Sequence, residues 1–184
     1  MRVIAGTLKG RRLASPSWPG LRPTSDKLRE TLFNILAPRV AGARVLDGYA
    51  GTGALGIEAL SRGAAEVTFV ERDRRAAALI EENLAHCGIE NGYAIIRQDV
   101  PRALAALADR PELRAAFDLV LLDPPYTDAP DQALAAAADL LAPDGLLVLE
   151  HARRHRTPDA AGPLVRTREV TAGDSALAFY ACRP

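Results

Sequence analysis

Between residues 43 and 150, short apolar runs alternate with longer amphipathic stretches. The runs 43–47 (ARVLD), 67–71 (VTFVE), 93–97 (YAIIR), 117–123 (FDLVLLD) and 145–150 (GLLVLE) are dense in Val, Leu, Ile and Phe. Such runs are expected of strands buried on both faces. Residues 54–62, 73–86, 101–108 and 130–141 lie between them and are rich in Ala, Leu and Arg, which favour helix. The alternation predicts a parallel sheet with helices on both faces.

Both ends break this rhythm. Residues 164–170 and 176–182 are strand-like runs joined by Thr171-Ala172-Gly173-Asp174. With no helix between them, they predict an antiparallel hairpin that brings the sheet to seven strands. Residues 1–13 (MRVIAGTLKGRRL) read as a small β-hairpin turning between Gly6 and Gly10. Arg22-Pro23-Thr24-Ser25 then opens a helix that Thr24 or Ser25 can cap, with Asp26 at its positive end. Leu28, Leu32, Phe33, Ile35 and Leu36 recur at helical spacing, and Pro38 is expected to end the helix. A boundary near Ala41-Gly42 divides an extension, residues 1–40, from a domain spanning 41–184.

Composition narrows the class. A chain of 184 residues with 48% hydrophobic and 25% charged side chains suffices for one full core and a small appendage. No apolar run approaches a membrane span, and the first residues lack the apolar centre of a signal peptide. Cys87 and Cys182 stand far apart, without CxxC or Cys/His spacing. They read as free thiols of a cytoplasmic protein, with no metal site. The net charge of zero hides an asymmetry: residues 1–39 carry eight basic and two acidic side chains, a net of +6, balanced by the remainder. A basic arm on an acidic body suggests a polyanionic partner at one end, although by itself it also reads as a solvated basic surface. Nothing in the sequence demands more than a monomer.

Candidate chemistry gathers where the apolar runs stop. Gly51, Gly53 and Gly56 match GxGxxG before a helix, with Glu71 ending the next run, the pattern of a dinucleotide site. Asp47, however, closes the first strand just ahead of the glycines. A carboxylate there would oppose a pyrophosphate, whereas it would welcome the ammonium and sulfonium of S-adenosylmethionine. Asp99 follows the third run, where it could accept from an adenine amino group or serve only as a turn residue or helix cap. Asp123-Pro124-Pro125-Tyr126 ends the fourth. The prolines stop the ladder and hold Asp123 and Tyr126 on a stiff turn at the carboxyl edge, where open α/β sheets bind ligands. Alone, that turn also reads as a proline-stiffened strand exit. Trp18, the only tryptophan, could stack on a nucleobase, but covering the apolar side of the hairpin is the expected use. His86, His151 and His155 are read as surface or helix-end residues.

The pattern is similar to that of class I methyltransferases acting on exocyclic amines of nucleobases. The whole chain resembles the RsmD family, the bacterial 16S rRNA (guanine-N2)-methyltransferases, a resemblance carried by RVIAGTLKGRRL (2–13), RPTSDKLRETLFNIL (22–36), VLDGYAGTGALGIEALSRGA (45–64), VERD (70–73), FDLVLLDPPY (117–126) and GDSALAFY (173–180). It implies a Rossmann-like class I methyltransferase fold. It also implies S-adenosyl-L-methionine held by Asp47, Ala50, Gly51, Gly53, Glu71, Arg72 and Asp99. Catalysis would fall to Asp123, Pro124 and Tyr126. RNA of the small ribosomal subunit would be held by Lys9, Arg11, Arg12, Arg22 and Thr24. The Asp-Pro-Pro-Tyr motif alone fits adenine-N6 enzymes equally well. An NAD-dependent oxidoreductase, favoured only by GxGxxG, and a non-catalytic RNA-binding assembly factor are the readings from other classes.

Overall fold

The computed structural model describes residues 1–18, 25–125 and 131–183. Five strands are parallel: β1 (Arg44–Gly48), β2 (Glu66–Val70), β3 (Tyr93–Ile96), β4 (Phe117–Leu122) and β5 (Leu141–Ala152). Three more add antiparallel beyond β5: β6 (Ala160–Ala161), β7 (Leu164–Ala172) and β8 (Ser175–Cys182). The order across the sheet is β3-β2-β1-β4-β5-β8-β7-β6. The sheet thus has eight strands where seven were expected. The addition is the two-residue β6, paired through Ala160 and Ala161 with Val165 and Leu164, too short to leave a periodic signal.

Helices α1 (Asp26–Val40), α2 (Ala54–Ser61), α3 (Arg74–His86), α4 (Val100–Ala108) and α5 (Asp131–Ala138) cover the two faces. Because side chains alternate along each strand, neighbouring residues feed opposite cores. Val45, Phe69, Leu121, Val148 and Phe179 pack with α1, α2 and α3. Leu46, Val70, Val120, Leu122, Leu149 and Tyr180 pack with α4 and α5. Each fully buried Leu or Phe contributes about 1.5–3 kcal/mol relative to exposure. The near-continuous apolar runs of the sequence serve these two cores.

Of the two N-terminal expectations, the helix end is corrected and the hairpin holds only as a minimal one. Pro38 does not end α1, which runs on to the buried Val40. The proline sits in the last turn, where the missing N–H removes one bond and the helix ends before the kink can spread. The N-terminal hairpin also lacks a ladder. Arg2 and Arg12 form a single antiparallel bridge, flanked by Val3 N–H to the Arg11 carbonyl and Leu13 N–H to the Met1 carbonyl. The cause is competition from a side chain. The amides of Ile4 and Ala5 donate to the Glu58 carboxylate on α2 at 2.8 and 3.0 Å. Ser61 donates its hydroxyl to the Ala5 carbonyl and accepts from the Leu8 amide. The segment Glu58-Ala59-Leu60-Ser61-Arg62 is therefore the dock for the first limb.

Candidate active site

The chain reverses direction across the sheet between β1 and β4, so the loops after these strands diverge and leave a crevice at their carboxyl ends. Asp47 pairs in register with Leu121, and Gly48 with Leu122. Asp123, the next residue after β4, donates its amide to the Gly48 carbonyl at 3.3 Å. The two acids thus flank the switch point. A cavity of about 620 Å³ opens there, lined by Asp47, Ala50, Gly51, Glu71, Arg72, Asp123 and Pro124 among others. That volume is within the range of about 300–1,000 Å³ found for small-molecule sites.

The glycine loop wraps two carboxylates. Gly53, with φ 77°, takes the cap position of α2 and offers no side chain to it. Asp47 supplies the missing acceptor: its Oδ2 receives the Gly56 amide at 2.9 Å. Glu71 accepts from the Gly51 amide at 2.8 Å through one oxygen and from the Asp73 amide at 2.8 Å through the other. A Cβ on Gly56 would stand 2.2 Å from the Phe69 ring, so the third glycine is what lets α2 lie against β2. Tyr49 holds φ at 62° at the head of the loop, a conformation that non-glycine residues adopt at a cost. It also lines the cavity.

Negative charge dominates the interior. Burial pushes the Asp47 carboxyl well above the usual carboxylate range, with the charges of Asp123 and Glu71 adding to the rise and the Gly56 amide opposing it. Asp73, at the rim, is held below its usual range by the Ala76 and Arg75 amides as it caps α3. Three acids converging on one cavity form a seat for a ligand with positive charge. With the Gly51 and Gly56 amides already donating to carboxylates, they are not left facing a pyrophosphate.

The other expected residues separate into groups. Gly53 faces Ile80 and Phe69 and does not line the cavity. Asp99 precedes α4 without capping it, and the next residue, Val100, reaches the cavity wall. Lys9, Arg11 and Arg12 are exposed and away from the cavity. Arg11 donates to the His86 carbonyl at the far end of α3. Arg22, Thr24 and Tyr126 lie outside the described residues. Trp18 does not cover the apolar side of the hairpin, which Val3 and Leu13 bury in the core. It stands at the cavity with the Arg75 guanidinium 4.9 Å from its ring centre. Asn83 carries the chain there, bonding Ala14 through its amide and carbonyl and also the Thr52 carbonyl.

Several wall residues carried no signal of their own. Glu150, near the end of β5, and Gly173, Asp174 and Ser175, at the β7–β8 turn, complete the side next to Pro124 and Pro125. The pairing of Ala152 with Ser175 brings that turn to the carboxyl edge. The closing motif GDSALAFY contained the turn, but only the topology assigns it to the cavity.

Comparison with known proteins follows the same outline. The family model described as conserved hypothetical protein 95 matches residues 1–181. The chain is 41% identical over 183 residues to YlbH of Bacillus subtilis (strain 168), covering 98% of each. It is 36% identical over 183 residues to Ribosomal RNA small subunit methyltransferase D of Escherichia coli (strain K12), covering 98% of this chain and 89% of that one. The solved structure of yhhF from Escherichia coli superposes with a TM-score of 0.84 at 34% identity, covering 100% of this chain and 98% of that one.

Proposed function

The chain belongs to the conserved hypothetical protein 95 family, the RsmD family, and on that premise we propose that it is an S-adenosylmethionine-dependent rRNA methyltransferase that modifies the exocyclic N2 amine of a guanine in 16S rRNA. The observation that carries the reading is the convergence of Asp123-Pro124-Pro125 with Asp47 and Glu71 on one cavity at the switch point. The name and full-length likeness of the Escherichia coli relative support the rRNA substrate.

The donor set fits the cofactor. Asp47 and Glu71 keep lone pairs beyond those given to backbone amides. Asp47 would hold the ammonium and Glu71 the ribose hydroxyls, with Ala50, Gly51 and Arg72 along the wall; Asp99, beside Val100, would meet the adenine amine. Gly53 contributes by shaping the loop. S-adenosylmethionine, when bound, supplies an electrophilic methyl group.

The remaining work belongs to the chain. A guanine N2 amine is a poor nucleophile because its lone pair is delocalised into the ring. Asp123 and the Pro124 carbonyl would accept hydrogen bonds from its two N–H groups and draw it toward tetrahedral geometry, aiming the lone pair into the cavity. Asp123 would take the proton as positive charge develops on nitrogen. Tyr126 would stack on the flipped base. Alignment and preorganised charge supply most of the rate. Residues 1–40 form the RNA-binding extension on the domain of residues 41–184. In it Lys9, Arg11 and Arg12 would hold phosphates, and Arg22 and Thr24 would meet the RNA nearer the cavity.

The direct test is methylation of 16S rRNA and of small ribosomal subunits with labelled cofactor, followed by nucleoside analysis. Label in N2-methylguanine is expected. Label confined to N6-methyladenine would keep the methyltransferase and overturn the base; no transfer to either substrate would overturn the activity.

A further inference from the structure

Beyond β5 the chain makes a turn that the basic-arm reading leaves unused. Arg153, Arg154, His155 and Arg156 are consecutive and all exposed. Among the described residues none of the three arginines enters an ion pair. The next acid along the chain, Asp159, is taken by Arg166. Long cations on a free loop would be a solvated surface, but this backbone is pinned. The Arg153 amide donates to the Asp174 carbonyl at 2.8 Å, and the His155 amide to the Ala152 carbonyl at 2.8 Å. Asp174 is itself part of the cavity wall, as is Glu150 three residues before Arg153. The turn is therefore tied to the rim on the side of Pro124 and Pro125.

The position of the N-terminal cations sharpens the point. Helix α3 starts at the cavity with Arg75 against Trp18 and ends at His86, whose carbonyl holds Arg11. Eleven residues of helix at 1.5 Å each put about 17 Å between them. Lys9, Arg11 and Arg12 can grip phosphates at a distance from the reacting nucleotide, but not beside it. A base extruded into the cavity drags its flanking phosphates to the rim, and repulsion from the Glu71 and Asp123 carboxylates at the cavity must be offset there.

We infer that the Arg153–Arg156 turn is a second RNA-binding surface, which holds phosphates flanking the target nucleotide across the cavity from the N-terminal arm. This rests on the rRNA reading above. It assigns the turn affinity and register on the strand, with no part in the methyl transfer itself. Arginine suits the task because its planar fork can bind a phosphate through two N–H groups.

The test compares wild type with an Arg153→Gln, Arg154→Gln, Arg156→Gln triple variant. Anisotropy of a labelled 16S rRNA fragment is measured across a salt series, and S-adenosylhomocysteine binding by calorimetry. The variant is expected to bind RNA at least about tenfold more weakly, with the slope of log Kd against log salt reduced by about 1–2. The KM for RNA should rise more than kcat falls, and cofactor affinity should hold. The corresponding triple Lys variant should recover most of the salt slope. An unchanged RNA Kd and slope in the Gln variant would overturn the inference. A wild type that binds RNA without methylating it would overturn the proposed activity instead, and the anisotropy series would still judge the turn.

Discussion

Asp47 does two jobs with one carboxylate: it caps α2 through the Gly56 amide and faces the cavity shared with Glu71 and Asp123. Its folded pKa is raised, by burial first and then by those two neighbours against the Gly56 bond. The folded state therefore holds a proton that the unfolded chain has already released. Stability of the ligand-free protein should fall as pH rises from the ordinary carboxylate range through the raised folded value. Asp47→Asn keeps an acceptor for Gly56 and should flatten that fall, seen as a smaller loss of Tm over the same pH range. Binding a ligand with an ammonium should discharge the proton. Calorimetry with S-adenosylhomocysteine in two buffers of different ionisation enthalpy should then give different apparent heats at a pH below the raised value. Equal heats, with wild-type pH dependence in the Asn variant, would remove Asp47 from the ammonium seat. Asp123 has a different expected profile. Asp123→Ala should cost about 10²–10³ in kcat, the range for one preorganised hydrogen-bonding group, with S-adenosylhomocysteine affinity within a few-fold of wild type. Near-normal turnover would refute its role.

The join between the N-terminal segment and α2 depends on buried charge. Glu58 is inaccessible and accepts from Ile4, Ala5 and Arg62, with the equally buried Arg29 at 3.9 Å. Arg29 also bonds Asp26 and the Arg2 carbonyl. Glu58→Ala would strip an acceptor from two amides and leave Arg29 with a single acidic partner among the described residues, Asp26. The expected loss is about 3–5 kcal/mol, measured by urea unfolding; under 1 kcal/mol would mean that the dock opens without cost. The smaller Gly6→Ala change attacks the same joint. A Cβ at φ 83° would lie 1.9 Å from the Ser61 carbonyl, so release of the first limb should appear as faster amide exchange at residues 4–8 with the main sheet unchanged. These joints were hidden in the sequence for a reason. The strands at 67–71 and 117–123 announced themselves because burial on both faces demands unbroken apolar residues. Arg29 and Glu58, polar residues at core positions, look like surface in any hydropathy pattern. The acids at strand ends were legible because a parallel sheet sends every strand end to one edge. Trp18 and Ser175 were not, because an irregular path along α3 and the antiparallel return of β8 bring them there.

At the scale of the whole molecule, the cavity joins segments from nearly the full length of the chain: Trp18, Asp47, Glu71, Val100, Asp123 and Ser175 all reach it. A ligand filling it should stabilise the fold as a unit. At about 100 times Kd the gain is about 2.7 kcal/mol, which for a chain of this size raises Tm by roughly 5–10 °C. Trp18 makes the same event visible at one position. It is the sole tryptophan, and its ring lies against Arg75 at the wall that also carries Glu71, Arg72 and Asp73. A ribose held by Glu71 would enter beside that stacked pair and change the exposure of the indole. Tryptophan emission should therefore shift with S-adenosylhomocysteine along the same saturation curve as the rise in Tm. Adding RNA afterwards should move it little if the nucleotide enters on the far side, between Pro124 and the 153–156 turn. The reverse result, with emission insensitive to S-adenosylhomocysteine and responsive to RNA, would exchange the two ends: Trp18 would then stack on a nucleobase, and the RNA would approach the cavity along α3.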